Sequence, residues 1–208
     1  MELEVINIKG EKTGRSVQLA DEIFGVEPND HVLYLDVKRY LINQRQGTHK
    51  SKQRNEVSGS TRKLRKQKGG GGARIGSIKS PILRGGGRIF GPIPRTYDIK
   101  LNQKEKVIAR KSALSHKAKE NRIVVVENFD FEEPKTKQYA SMLTALNLND
   151  QKTLLVLGSR LDNVIRSARN IEGAGVITGS DINSYNVMHC GTLLLAEDAV
   201  KGLNESLK

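Results

Sequence analysis

Between Gln44 and Arg88 the chain cannot build a hydrophobic core. Only seven residues of that stretch are apolar (Val57, Leu64, Ala73, Ile75, Ile78, Ile82 and Leu83), and they follow no sustained period of 2 or 3.6. Glycines gather in the same region, at Gly69 to Gly72, Gly76, Gly85 to Gly87 and Gly91. Glycine loses the most backbone freedom on ordering. Cations crowd the stretch too and repel one another, so taken alone it is expected to be disordered. Whatever fold the chain adopts must be built from the residues on either side.

The charge is segregated in the same way. Of 35 Lys and Arg and 23 Asp and Glu, the span from Lys38 to Lys111 holds 21 basic and 3 acidic residues. The remainder holds 14 basic and 20 acidic. The sequence thus describes a mildly acidic body joined to a strongly basic segment, which argues for an interaction arm with a polyanionic partner. Nucleic acid and an anionic membrane surface are the two candidates.

The flanks carry ordinary folding signals. Leu3 to Ile8 alternates as a strand, and Ser16 to Phe24 is ambiguous between a short strand and a turn. Asn29 is placed to cap a helix reaching about Gln44, with Val32, Leu33, Val37, Tyr40 and Leu41 at helical spacing. Asn102 is placed to cap a second, cation-rich helix whose apolar positions include Val107, Ile108, Leu114 and Ala118. Beyond it strands and helices alternate. Strands are expected at 122–127, 153–157, 175–178 and 192–196. Helices are expected at 135–146, 161–171, 183–189 and 197–207. Compact apolar runs such as Ile123-Val124-Val125-Val126 are typical of buried parallel strands. The fold class is therefore α/β: a mostly parallel sheet flanked by helices, with a long extended basic loop inserted in the N-terminal half. Residues 1–45 and 96–208 form a single globular α/β domain, and 46–95 form the loop. Loops beyond about 12–15 residues are uncommon in compact domains and are usually functional or disordered. Half of this one, fully extended at about 3.3 Å per residue, would reach roughly 80 Å.

The basic cluster Arg62-Lys63-Leu64-Arg65-Lys66-Gln67-Lys68 could, by itself, be a solvated charge run or a localisation tag. Its C-terminal neighbours narrow the choice. Gly69-Gly70-Gly71-Gly72-Ala73-Arg74 lets the backbone approach phosphates or bases closely, and the later cations Arg74, Lys79, Arg84 and Arg88 are spaced by small residues. A membrane-binding arm would set bulky apolar side chains beside its cations. Gly71 to Ser77 loosely resembles a nucleotide phosphate loop, but no Lys directly precedes the Ser, no buried strand leads in and no helix is expected after it. The turn at Leu157-Gly158-Ser159 lies where α/β folds place ligands, though a single glycine there is ordinary turn chemistry. His31, His49, His116 and His189 are dispersed without metal-ligand spacing, and the one cysteine, Cys190, allows no internal disulfide. No catalytic pair is marked, so no catalytic residue, metal or cofactor is expected. The absence of a disulfide framework fits a reducing compartment. No secretory signal or membrane span is expected. The rival classes are an α/β enzyme using the loop as a substrate clamp, and a basic regulator of mRNA.

The order and spacing of Arg45-Gln46-Gly47-Thr48, Val57-Ser58-Gly59-Ser60, Gln67-Lys68-Gly69, Ala73-Arg74, Gly76-Ser77-Ile78-Lys79-Ser80-Pro81, Arg84-Gly85-Gly86-Gly87 and Phe90-Gly91-Pro92 resemble the extended loop of the L-four family of large-subunit ribosomal proteins, bacterial type. The strand from Ile123 to Glu127, Glu133-Pro134-Lys135-Thr136-Lys137 and Ala168-Arg169-Asn170 extend the likeness through essentially the whole chain. The chain departs from the family at Leu64-Arg65, where bacterial relatives often carry Pro-Trp. It departs again at Gly70 and Gly72, which stand where relatives often carry threonine and arginine. Its tip is therefore expected to be smaller, more flexible and less charged.

The resemblance implies a structural protein without catalytic activity, cytoplasmic and in the ribosome. It would bind large-subunit ribosomal RNA early in subunit assembly, without a homo-oligomer or a membrane partner. The loop would thread inward through the RNA, and its tip would form part of the nascent-peptide exit tunnel opposite the L-twenty-two family. The residues expected to face RNA are Arg45, Lys50, Lys52, Arg54, Arg62, Lys63, Arg65, Lys66, Lys68, Arg74, Lys79, Arg84, Arg88 and Arg95. The tunnel-lining tip would be Arg65, Lys66, Gln67, Lys68, Gly69, Gly70, Gly71, Gly72, Ala73 and Arg74.

Overall fold

A computed structural model describes residues 1–207. The chain divides into two compact units, one made of Met1–Tyr40 with the chain from Lys100 onward, the other of Leu41–Ile99.

The first unit is built on six strands: β1 (Glu2–Ile6), β2 (Lys12–Gln18), β3 (Ile123–Val126), β4 (Thr153–Leu157), β5 (Ala174–Thr178) and β6 (Thr192–Ala196). Their order across the sheet is β2-β1-β3-β6-β4-β5. All neighbours are parallel except the β1–β2 hairpin at one edge. Every residue of β4 and β6 is buried, so both faces of the sheet centre are covered. Leu193, Leu194 and Leu195 are entirely shielded from solvent, and each contributes about 1.5–3 kcal/mol by leaving water.

Among the described residues seven α-helices complete this unit: α1 (Asp21–Phe24), α2 (Asp30–Asn43, whose last residues pass into the second unit), α3 (Gln103–Lys119), α4 (Thr136–Ala145), α5 (Asp162–Ala168), α6 (Ser184–His189) and α7 (Glu197–Ser206). Their starts follow local chemistry. The Asn29 side chain accepts from Val32 N at 3.1 Å to open α2, and Asn183 accepts from Asn186 N at 2.8 Å to open α6. At α3 the Glu105 carboxylate takes up the Asn102 N–H at 3.2 Å. The buried side of α3 is mostly small: Ala109, Ser112, Ala113, Ser115 and Ala118, with Leu114. Ser115 Oγ donates to Ile23 O at 3.1 Å, tying α3 to α1. Lys117, 4% exposed, donates from Nζ to Cys190 O at 2.8 Å and so ties α3 to the end of α6.

Three details differ from the sequence-based expectation. The ambiguous stretch around Val17 resolves into strand β2 followed by the short helix α1. Ile108 is not a core position: it is 45% exposed, because α3 packs through its small residues one step further along. Leu41, expected on the apolar face of α2, is also 45% exposed. Buried Asp36 stands on α2 instead, paired with Arg39 at 2.8 Å.

The second unit holds no helix or strand between Asn43 and Gln103 among the described residues. Its path is set by turns and by backbone bonds between its outgoing and returning limbs. Arg95 N donates to Gly47 O at 3.1 Å, Ser51 N to Pro92 O at 3.1 Å and Arg88 N to Lys52 O at 2.9 Å. Successive turns at Ser77–Ser80, Ser80–Leu83 and Leu83–Gly86 coil the returning limb, and Leu64 N donates to Gly76 O at 2.9 Å at the base of the tip.

Candidate nucleic-acid interface

The second unit is organised as neck, stem and tip, each held by a different kind of contact. At the neck the Asn43 side-chain amide pairs with the Ile99 backbone in both directions, donating to its carbonyl at 3.2 Å and accepting from its N–H at 2.9 Å. Next to it the Arg45 and Arg95 guanidinium carbons lie 4.4 and 4.5 Å from the Tyr97 ring centre. A hydrogen bond from Arg95, aided by the charges of both arginines, holds the Tyr97 hydroxyl below its ordinary pKa. Gly47 completes the clamp. Its φ is +62°, and a Cβ there would lie 2.2 Å from Arg95 O and 2.7 Å from the Tyr97 ring.

In the stem, glycine takes the place of a core. A Cβ on Gly86 would lie 1.9 Å from Ser80 O, one on Gly87 2.4 Å from Arg54 N, and one on Gly91 1.9 Å from Ser51 Oγ. At Gly86 and Gly87 the neighbours are backbone atoms, so the chain packs against itself more closely than any side chain would allow, an approach open only to glycine, whereas at Gly91 the Ser51 hydroxyl would have to turn away. Ser77 is the buried polar group of the stem. Its hydroxyl donates to Ser60 O and accepts from Lys79 N, linking the limbs across the turn.

The tip is different. Gly69, Gly70 and Gly71 have open space around the position of a Cβ, and Gly72 would meet the end of the Arg65 side chain at 2.5 Å and, in ordinary contact, Gly70 O at 3.9 Å. All ten residues from Arg65 to Arg74 are exposed. Nothing inside the unit requires glycine at Gly69 to Gly71 on grounds of crowding, although Gly69 and Gly71 adopt φ of +85° and +61°.

Of the fourteen cations expected to face RNA, thirteen are exposed, and Lys79 is half-buried. The same span contains a single carboxylate, Glu56, which pairs with Lys50 at 2.5 Å. That bond, with a second from Gln53 N, keeps the Glu56 carboxyl below its ordinary pKa. The other thirteen cations have no carboxylate partner among the described residues. Arg45 and Arg95 both lie over the Tyr97 ring, and Arg95 spends one of its donors on the Tyr97 hydroxyl. The surface is therefore an array of uncompensated positive charge on a scaffold with almost no apolar interior, suited to phosphates rather than to a small-molecule substrate.

Sequence reasoning had no grip on Asn43, Tyr97 or Ser77, whose roles depend on contacts with residues far along the chain. The body offers little that competes as a site. Among the described residues no group of His, Cys, Asp and Glu is arranged to hold a metal ion. His116 pairs with Asp30 at 2.9 Å, and His189 stacks on Tyr185 beside Lys152. The Leu157-Gly158-Ser159 turn lines a recess of about 290 Å³ at the strand ends with Asn128, Asp130 and Asp198. A Cβ on Gly158 would lie 2.9 Å from Asp198 Cβ, so that glycine answers to close packing against α7. No described helix is long and apolar enough to cross a membrane.

Comparison with known proteins agrees with the likeness seen in the motifs. The model of the ribosomal protein L4/L1 family matches residues 17–206. The "Large ribosomal subunit protein uL4" of Parabacteroides distasonis is 60% identical over 208 residues, covering 100% of both chains. That of Phocaeicola vulgatus is 59% identical over 207 residues with the same coverage. That of Flavobacterium psychrophilum is 53% identical over 207 residues, covering 100% of this chain and 99% of its own.

Proposed function

The chain belongs to the ribosomal protein L4/L1 family, and from that premise we propose that the Leu41–Ile99 unit is the part that works in folded ribosomal RNA. The protein is a structural constituent of the large ribosomal subunit and not an enzyme, in keeping with its full-length relatives. Its place is cytoplasmic, within the ribosome. The single observation that carries the RNA-binding proposal is the set of thirteen cations without a carboxylate partner on a coreless scaffold.

The mechanism is electrostatic and geometric. Lys52, Arg54, Arg62, Lys63, Arg65, Lys66, Lys68, Arg74, Lys79, Arg84 and Arg88, with the remaining donors of Arg45 and Arg95, meet phosphates and release their counterions. Lys50 joins them when Glu56 lets it go. RNA is recognised by shape, and the close-packed glycines keep the stem narrow enough to pass between helices. The globular α/β domain of 1–45 and 96–208 anchors the protein, while the 46–95 loop threads inward. The tip from Arg65 to Arg74, uncrowded and fully exposed, borders the exit tunnel opposite the L-twenty-two family. Binding through so many phosphates suits a protein that joins the RNA early in assembly. Washing purified large subunits in high salt tests the proposal: the protein stays with the subunits because the folded RNA encloses its loop. Release into the supernatant at salt that merely screens surface contacts would contradict it.

A further inference from the structure

Phe90 is fully exposed, in a unit that otherwise has almost no aromatic surface. The backbone sets it there. Lys52 O accepts from Arg88 N and the neighbouring Ser51 N donates to Pro92 O, so one step on the outgoing limb faces four on the returning limb. The excess, Ile89-Phe90-Gly91, bulges outward. The two backbone bonds pin the bulge at its ends, and Gly91 lets it close onto Ser51, whose Oγ would lie 1.9 Å from a Cβ there. Ile89 forms the lip of a groove of about 840 Å³ whose walls include Arg54, Lys79 and Arg88 and the polar groups of Asn55 and Thr61. An aromatic ring on a pinned bulge, beside a groove with three cations and no carboxylate, combines a stacking surface with a phosphate cradle.

We propose that Phe90 and this groove form a subsite for an unpaired nucleotide: the ring stacks on the extruded base while Arg54, Lys79 and Arg88 hold the adjoining phosphates. The inference rests on the RNA-binding proposal above and adds a preference for single-stranded over fully paired RNA at one residue. Exposed aromatics among cations are the usual platform for splayed bases, whereas an A-form duplex offers no free base face to stack on.

The chain contains no tryptophan, so Phe90→Trp creates a single fluorescent reporter at an exposed position where folding is not at stake. The full-length variant is titrated with single-stranded poly(A), with an A-form duplex of equal length, and with inorganic polyphosphate. Quenching by poly(A) alone is expected. In parallel, Phe90→Ala should weaken poly(A) binding by about fivefold to a hundredfold, in line with about 1–3 kcal/mol per stacked base, and leave the salt dependence unchanged. Phe90→Tyr should restore binding. Arg54→Ala with Arg88→Ala should instead flatten the salt dependence. If poly(A) binds but the indole emission of Phe90→Trp does not move and Phe90→Ala is neutral, the subsite is overturned while RNA binding stands. Equal quenching by the duplex would also overturn it, placing the ring against the sugar–phosphate backbone. If neither RNA binds the unaltered chain, the underlying RNA-binding proposal fails instead.

Discussion

Gly47 shows how one residue can govern the mouth of a loop that has no core. Its left-handed backbone carries the chain past Tyr97, where any Cβ would strike both the ring and the Arg95 carbonyl. Gly47→Ala should therefore open the neck, at about 1–2 kcal/mol for the backbone conformation alone before the clash is counted. Amide exchange at Arg95, whose N–H donates to Gly47 O, reports the opening as a marked loss of protection, and unchanged protection would contradict it. Glu56 carries the opposite lesson, a negative charge that holds a cation back. Its lowered pKa means that the Lys50–Glu56 pair persists above the ordinary carboxylate range and dissolves as pH falls through the lowered value. Glu56→Gln should release Lys50 at every pH, tightening RNA binding at low salt and steepening the log–log salt dependence by up to about 1. A slope that stays put would mean Lys50 finds no phosphate.

Among the elements, the two glycine clusters look alike in sequence and differ in structure. Gly86, Gly87 and Gly91 sit where the chain crowds against itself, while Gly69, Gly70 and Gly71 border open space. Deleting Gly69 to Gly72 should leave incorporation into subunits nearly intact, since no cation is lost. It should alter sensitivity to macrolides, which lodge in the tunnel the tip is proposed to border. Deleting 46–95 should impair assembly. Subunit profiles on sucrose gradients compare the two, and a tip deletion that blocks assembly as severely as the full one would make the tip an RNA anchor. This distinction was not legible in the sequence, because it depends on which residues lie opposite each glycine. What was legible came from local signals. Asn29 and Asn183 cap helices as their side chains dictate, and the apolar runs at Ile123–Val126, Thr153–Leu157 and Thr192–Ala196 are strands whose length is set by burial on both faces. β2 was only partly legible, as a short strand or turn around Val17, because Lys12-Thr13-Gly14-Arg15-Ser16-Val17-Gln18 is a polar edge strand, with Gly14 and two cations in place of an apolar alternation. α3 misled because serine and alanine, not its Val107 and Ile108, make its buried side.

At the scale of the whole molecule the chain holds two solutions to the problem of folding. One unit buries leucine and valine between helices, and the other orders glycine and arginine through backbone contacts and leaves its charge unanswered. The segregation of charge was readable from composition, and thirteen of the fourteen candidate cations are exposed. The Tyr97 clamp, the Ser77 link and the Phe90 bulge were not readable, since each needs a partner many residues away. The central claim is that this unanswered charge is the protein's grip on RNA, and its most direct test is the salt dependence of full-length protein binding to large-subunit ribosomal RNA. Thirteen Lys or Arg lie between Gln44 and Arg88. With about half of them meeting phosphates at about 0.7–0.9 per contact, the log–log slope is predicted at roughly −4 to −6. Replacing Lys50, Lys52 and Arg54 together by Ala is predicted to flatten it by about 1.5–2, the loss of two contacts, because Glu56 already holds Lys50 back. A slope near zero, or one the triple replacement leaves untouched, would contradict the claim.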